Sequence, residues 1–209
     1  MIPIAIFARA PIPGFAKTRL IPRLGADGAA QLHGALVVHA LATAQAARLG
    51  PVTLWSPPEN EGDPFLTDVA QRFGAARASQ SGADLGARML AAFGAQAPLL
   101  LMGSDAPSIT ADDLRACARA LRNGADAVFL PAEDGGYALV GAQRPIPEIF
   151  TGMTWGDDRV MAATRARLAA LDLAWAEPRV VWDVDRPEDY ERLVAEAPAF
   201  ALPTAARAD

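Results

Sequence analysis

The sequence predicts an α/β fold with a mostly parallel sheet covered by helices on both faces. Two observations carry that expectation. Short apolar runs alternate with longer helical stretches, which is the pattern of crossover units on a parallel sheet. The run Pro98-Leu99-Leu100-Leu101-Met102-Gly103 is apolar with no polar alternation, the mark of a strand covered on both sides. The chain has 209 residues, 52% of them hydrophobic, enough for one full core. The reading is therefore a single domain over residues 1–197, with an Ala- and Pro-rich tail at 198–209 expected to be disordered.

The elements follow in order. Residues 2–8 read as the first strand, 25–49 as a long helix, 52–55 as a strand, and 64–73 and 85–93 as helices. Residues 99–102 form the central strand. Thr110, with Asp112 and Asp113 behind it, starts a helix over 111–121 and leaves 104–109 as the intervening loop. Beyond residue 125 the pattern changes: 127–130 and 137–141 are both strand-like and flank Pro131-Ala132-Glu133-Asp134-Gly135-Gly136, so a small hairpin excursion is expected. A helix near 158–171, a strand at 179–182 and a last helix opening with Pro187 complete the chain.

Composition excludes several function classes. A net charge of −5 provides no general attraction to nucleic acid or an acidic membrane surface. The single cysteine, Cys117, lies in a helical pattern and cannot form an internal disulfide, which suits a reducing cytoplasm. No apolar run reaches the roughly 18 residues of a membrane span, and the N-terminus opens on strand-like residues. His33 and His39 have no cysteine partner or His-Glu-x-x-His pattern, which argues against zinc, and no Gly-x-Ser-x-Gly elbow is present.

Five segments offer chemistry. The connection Ala8-Arg9-Ala10-Pro11-Ile12-Pro13-Gly14-Phe15-Ala16-Lys17-Thr18-Arg19-Leu20 places three cations and a glycine after the first strand, where α/β sheets bind ligands. It suits phosphate, although it is neither a Walker loop nor a dinucleotide fingerprint. Asp105 follows the central strand at the same sheet edge and offers the hard oxygen that Mg²⁺ or Mn²⁺ prefers; capping the Ser-Asp-Ala-Pro turn is an equal alternative. In an extended Asp183-Val184-Asp185 both carboxylates would face one metal, while Asp185 also suits a helix N-cap. Asp134-Gly135-Gly136 reads first as a hairpin turn and second as a close approach to a ligand. Residues 80–89, including Asp84, Gly86 and Arg88, form a polar loop leading into a helix.

In order along nearly the whole chain, the segments Phe7 to Pro11, Pro13-Gly14, Ala16 to Leu20, Asp84-Leu85-Gly86, Gly103 to Pro107, Pro131 to Tyr137, Thr154-Trp155-Gly156 and Asp183 to Asp189 resemble a bacterial family. It is the DUF2064 family of nucleotide-diphospho-sugar transferase-like proteins with the GT-A fold. Parts of the series also resemble the phospholactate guanylyltransferases, although Tyr137 stands after Asp-Gly-Gly where those enzymes carry a Thr-Asn pair. The resemblance implies a three-layer GT-A domain and a metal-dependent nucleotidyl transfer to a small phosphorylated or acidic acceptor, with pyrophosphate released. A glycosyl transfer from a sugar nucleotide is the rival, and nucleotide binding without turnover the third reading. Lys17, Arg19 and Asp105 would be catalytic, with Ala8, Arg9, Ala10, Gly14, Asp84, Gly86 and Ser104 completing the nucleotide site. Asp134, Gly135, Gly136, Tyr137, Trp155 and Arg159 would meet the acceptor. Asp105, Asp183 and Asp185 would ligate Mg²⁺ or Mn²⁺. The expected assembly is a monomer or homodimer.

Overall fold

A computed structural model describes residues 1–202. Its elements are β1 (Ile4–Phe7), α1 (Ile21–Ala47), β2 (Val52–Ser56), α2 (Pro64–Arg72), β3 (Ala76–Ser79), α3 (Leu85–Ala95), β4 (Leu99–Gly103), α4 (Ala111–Arg122), β5 (Ala127–Pro131), β6 (Tyr137–Ala142), α5 (Pro147–Phe150), α6 (Val160–Ala170), β7 (Trp175–Ala176) and α7 (Pro187–Glu196). The strands form one sheet in the order β3-β2-β1-β4-β6-β5-β7. β6 runs antiparallel to β4 and β5, and the remaining pairings are parallel. The expected α/β architecture is thus observed. The β5–β6 hairpin is not an excursion, because β6 lies directly against β4 within the main sheet.

Successive side chains along a strand point to opposite faces, and this sorts the apolar runs into two layers. Ile4, Ile6, Leu100 and Met102 pack with Val37 and Leu41 of α1 and with Leu114 and Leu121 of α4. Ala5, Leu99, Leu101 and Phe129 pack on the other side with Met89 and Phe93 of α3, Phe150 of α5 and Met161 of α6. β4 and β5 are buried at nearly every position for this reason. A third cluster of Leu20, Leu32, Leu36, Trp182, Val184, Tyr190 and Leu193 ties the start of α1 to the segment before α7. That cluster brings residues 17–20 and 182–185 to the same end of the sheet.

Two segments depart from the sequence reading. No strand forms at 179–182; the pairing there is a single bridge between Ala132 and Val181, and the edge strand is β7, which begins four residues earlier. The start of the expected tail is also packed: Phe200 and Leu202 lie against the third cluster, and the Leu202 amide donates to the Tyr190 hydroxyl. The remainder of that tail lies outside the described residues. No helix among the described residues is long and apolar enough to cross a membrane.

Candidate active site

β1 and β4 pair in register, with Phe7 opposite Gly103, so the connections that follow them leave the sheet side by side. The first connection carries the chain's one lysine, Lys17, whose backbone is left-handed at φ 48° and ψ 46°. A non-glycine residue there costs about 1 kcal/mol, and that conformation persists only when its surroundings hold it. Those surroundings are visible. The Lys17 side chain is 6% exposed, and its ammonium lies 2.9 Å from Asp105 Oδ1 and donates to the Val184 carbonyl. The Val184 amide in turn donates to the Asp105 carbonyl. Lys17, Asp105 and Val184 therefore lock three distant segments together.

His33 of α1 stands behind this lock. Its Nε2 is 3.1 Å from the Arg9 carbonyl, while its Nδ1, 3.7 Å from Asp105 Oδ1, is buried without a hydrogen-bond partner. Burial lowers the His33 pKa against the opposing pull of Asp105, which keeps the ring neutral with its proton on Nε2. For Asp105 burial is the largest influence and works against ionisation, but the Lys17 ammonium, His33 and the Ser104 hydroxyl together outweigh it and hold the carboxyl below the ordinary aspartate range.

Two cavities meet at Asp105. One, of about 450 Å³, is bounded by Arg9, Lys17, Arg19 and Arg88, with Ala8, Thr18, His33 and Ser104 between them. Its mouth carries Phe15, 78% exposed, and Leu85. The other, of about 300 Å³, has an apolar lining that includes Phe7, Met89, Leu101, Tyr137 and Trp155, with Asp105, Asp134, Asp157 and Asp183 around it. Phe7, Leu85, Gly103 and Asp105 line both. The Tyr137 hydroxyl is buried without a partner, and burial pushes its pKa up, so it remains protonated. Burial first, and the Asp134 and Asp105 carboxylates next, push the Asp183 pKa up to about 6.

The expected aspartate trio is split. Asp183 lines the apolar cavity, but Asp185 lines the cationic one and is paired with Arg19. The reason lies in the backbone: residues 183–185 are not a strand, and the Asp185 and Arg186 amides both donate to Asp189 Oδ2 in the first turn of α7. Asp185 is accordingly not the N-cap, a position taken by Arg186. The carboxylate grouped with Asp105 and Asp183 is instead Asp134. As the side chains stand, no three His, Cys, Asp or Glu residues among those described converge to hold a metal ion.

Of the other expected residues, Ala10, Gly14, Asp84, Gly86 and Gly135 support the walls without lining them. The Ala10 amide donates to Asn60, Gly14 sits in the exposed loop at φ 83°, and Asp84 caps α3 through the Ala87 amide. Gly86 packs under Trp155, where a Cβ would come within 2.8 Å of the indole. Gly135, at φ 91°, faces the Asp158 carbonyl, and its own carbonyl accepts from Met161 at the start of α6. Gly136 lines the apolar cavity, and its amide donates to Asp134. Arg159, 80% exposed, turns to Asp157 and does not line the cavity. Arg88, from the polar loop at 80–89, lines the cationic cavity. Sequence reasoning missed Phe15 and Asp157, and weighed His33 only against zinc.

A model of the family described as an uncharacterized protein conserved in bacteria, DUF2064, matches residues 40–157. The chain belongs to that family. No curated protein matches the sequence. Among solved structures, this DUF2064 chain is similar to a candidate nucleotide-diphospho-sugar transferase from Desulfovibrio desulfuricans G20, with 29% identity, 95% of each chain covered and a TM-score of 0.76. It shares its fold with a cytidylyltransferase from Leptospira borgpetersenii, at 16% identity and TM-score 0.62, covering 97% of this chain and 88% of that one. It also shares the fold of the Rv0371C protein in complex with manganese from Mycobacterium tuberculosis H37Rv, at 16% identity and TM-score 0.54, covering 94% of this chain and all of the other. The DUF2064 chain therefore has the nucleotide-diphospho-sugar transferase fold read from its motifs.

Proposed function

We propose that this protein is a metal-assisted transferase that binds the phosphates of a nucleotide donor in the cationic cavity and a small acceptor in the apolar one. The observation that carries the reading is the meeting of the two cavities at Asp105. Of the four cations on that cavity Lys17 and Arg19 are paired with Asp105 and Asp185, which leaves Arg9 and Arg88 as its net positive charge; an excess of cations suits the phosphates of a triphosphate and supports nucleotidyl transfer with release of pyrophosphate. The similarity to a candidate sugar-nucleotide transferase supports glycosyl transfer as the second reading.

The residues fit a divalent cation of the Mg²⁺ kind. Such an ion is held by one or two carboxylates together with substrate phosphates, so it does not require a complete protein cage. Asp183, whose ionisation is opposed by burial and two neighbouring carboxylates, is the group that a cation would relieve. Asp105 and Asp183 would hold it, and when bound it neutralises phosphate charge and polarises a phosphoryl oxygen. Arg9, Arg19 and Arg88 bind and orient the phosphates. Lys17 fixes Asp105 between donor and acceptor, and the apolar walls exclude water from the acceptor side.

The test is to incubate the protein with Mg²⁺ and each nucleoside triphosphate or sugar nucleotide in the presence of an acceptor panel. Pyrophosphate release from a triphosphate is the expected result. Nucleoside diphosphate release from a sugar nucleotide would establish the second reading, and binding without either product would refute both.

A further inference from the structure

The mouth of the cationic cavity carries a feature that phosphate binding does not use. Phe15, 78% exposed, is the one exposed aromatic side chain among the described residues. It is not a scattered surface residue, because the lining of the same cavity also leaves Leu85 46% exposed, and together they give a charged space an apolar rim.

The ring is presented by a fixed backbone. The Phe15 amide donates to the Ile12 carbonyl at 3.0 Å across Pro13 and Gly14, whose φ is 83°, so the segment has the proline and positive-φ glycine of a type II turn. The Ala16 amide donates to the same carbonyl at 3.0 Å, and Ala16 is buried. The next residue is Lys17, whose side chain is buried in the lock with Asp105. Phe15 therefore stands on the outside of a segment pinned before and after it, and a ligand meeting the ring would have little backbone freedom to remove.

Two chemistries meet within this cavity: an excess of cations that suits phosphates, and a flat apolar ring at the edge that suits a flat aromatic group. A nucleotide contains both. The faces of a base stack on an aromatic side chain and gain less from an ammonium or a carboxylate. We infer that Phe15 is the stacking platform for the base of the nucleotide donor, with Leu85 extending the apolar rim. This rests on the proposed placement of the donor's phosphates in the cationic cavity. Every base has a π-face, so the platform selects for the presence of a base and is tolerant of its identity.

Calorimetry at saturating Mg²⁺ tests it with ATP, GTP, CTP, UTP, UDP-glucose and inorganic tripolyphosphate, in wild type, Phe15→Ala and Phe15→Trp. Phe15→Ala is expected to weaken each nucleotide that binds by at least about fivefold and by similar factors, and tripolyphosphate by less than about twofold. Phe15→Trp is expected to retain or strengthen nucleotide binding, and thermal stability should be unchanged in both variants because the ring is exposed. Unchanged nucleotide affinity in Phe15→Ala, an equal loss for tripolyphosphate, or an equal loss in Phe15→Trp would each overturn the inference. So would a change in sedimentation with nucleotide affinity unaltered, which would make the ring a protein contact. If no nucleotide binds the wild type, the donor-site reading falls and the inference with it. If nucleotides bind in a Phe15-dependent way and none yields a product, the transferase reading fails alone and the inference stands.

Discussion

Replacing Lys17 and Asp105 singly and together measures the lock that sets the two cavities against each other. The ammonium and carboxylate are 2.9 Å apart, which at an effective dielectric near 20 corresponds to about 6 kcal/mol of attraction before desolvation is subtracted. Lys17 is 6% exposed and Asp105 46%, so the two losses are unequal. In Lys17→Met the carboxylate can rehydrate through its exposed side, and a cost of about 1–3 kcal/mol is expected. In Asp105→Asn the buried ammonium keeps only the Val184 carbonyl, and about 2–4 kcal/mol is expected. The double variant leaves no stranded charge, so its loss should fall short of the sum by about 2 kcal/mol. Urea unfolding of the four proteins gives the coupling energy, and the single variants should melt about 3–10 °C lower. A coupling below about 0.5 kcal/mol would refute the claim that this pair holds the connections together.

Two further outcomes follow from the same geometry. Gly135→Ala should cost at least about 3 kcal/mol, because φ is 91° and the new Cβ would lie 1.8 Å from the Asp158 carbonyl; a urea midpoint close to wild type would contradict the close approach. Asp183 has a folded pKa of about 6, above its unfolded value near 3.8. Its proton therefore contributes stability that is full below the unfolded value and is lost as pH rises through about 6. Asp183→Asn removes that dependence. From about pH 4 to about pH 7 the variant should gain about 1.5 kcal/mol relative to wild type, after discounting for partial exposure, and a flat difference would contradict the burial of this carboxyl.

Local patterns declared much of this arrangement. The unbroken apolar run at 99–103 announced a central strand because both faces of that strand are buried, and the cations before Leu20 lie where the end of β1 places them. β3 escaped notice because Ala76–Ser79 lies at the sheet edge, half-covered, with no apolar run to mark it. β7 is only two residues long. The Asp183–Asp185 pair misled because same-side geometry was read from a strand that does not form there, and Asp185 is drawn to Arg19 while its amide is held by Asp189 of α7. The burial of Lys17 against Asp105, and the approach of His33 behind it, depend on contacts across the fold that no local pattern carries. The acidic lining of the apolar cavity was concealed for a related reason: Arg159 lies two residues from Asp157 in the sequence but is paired with it, exposed, and does not line the cavity.

The central claim is that a nucleotide's phosphates and a divalent cation come together beside Asp105 and Asp183. Asp183→Asn is the suitable variant, since Asp183 takes no part in the Lys17 ion pair. Calorimetry of nucleoside triphosphate binding, with and without Mg²⁺, in wild type and in Asp183→Asn tests the claim directly. Mg²⁺ is expected to strengthen wild-type binding at least about tenfold and the variant's by only about twofold. An equal Mg²⁺ gain in both proteins, or no nucleotide binding by the wild type, would contradict it.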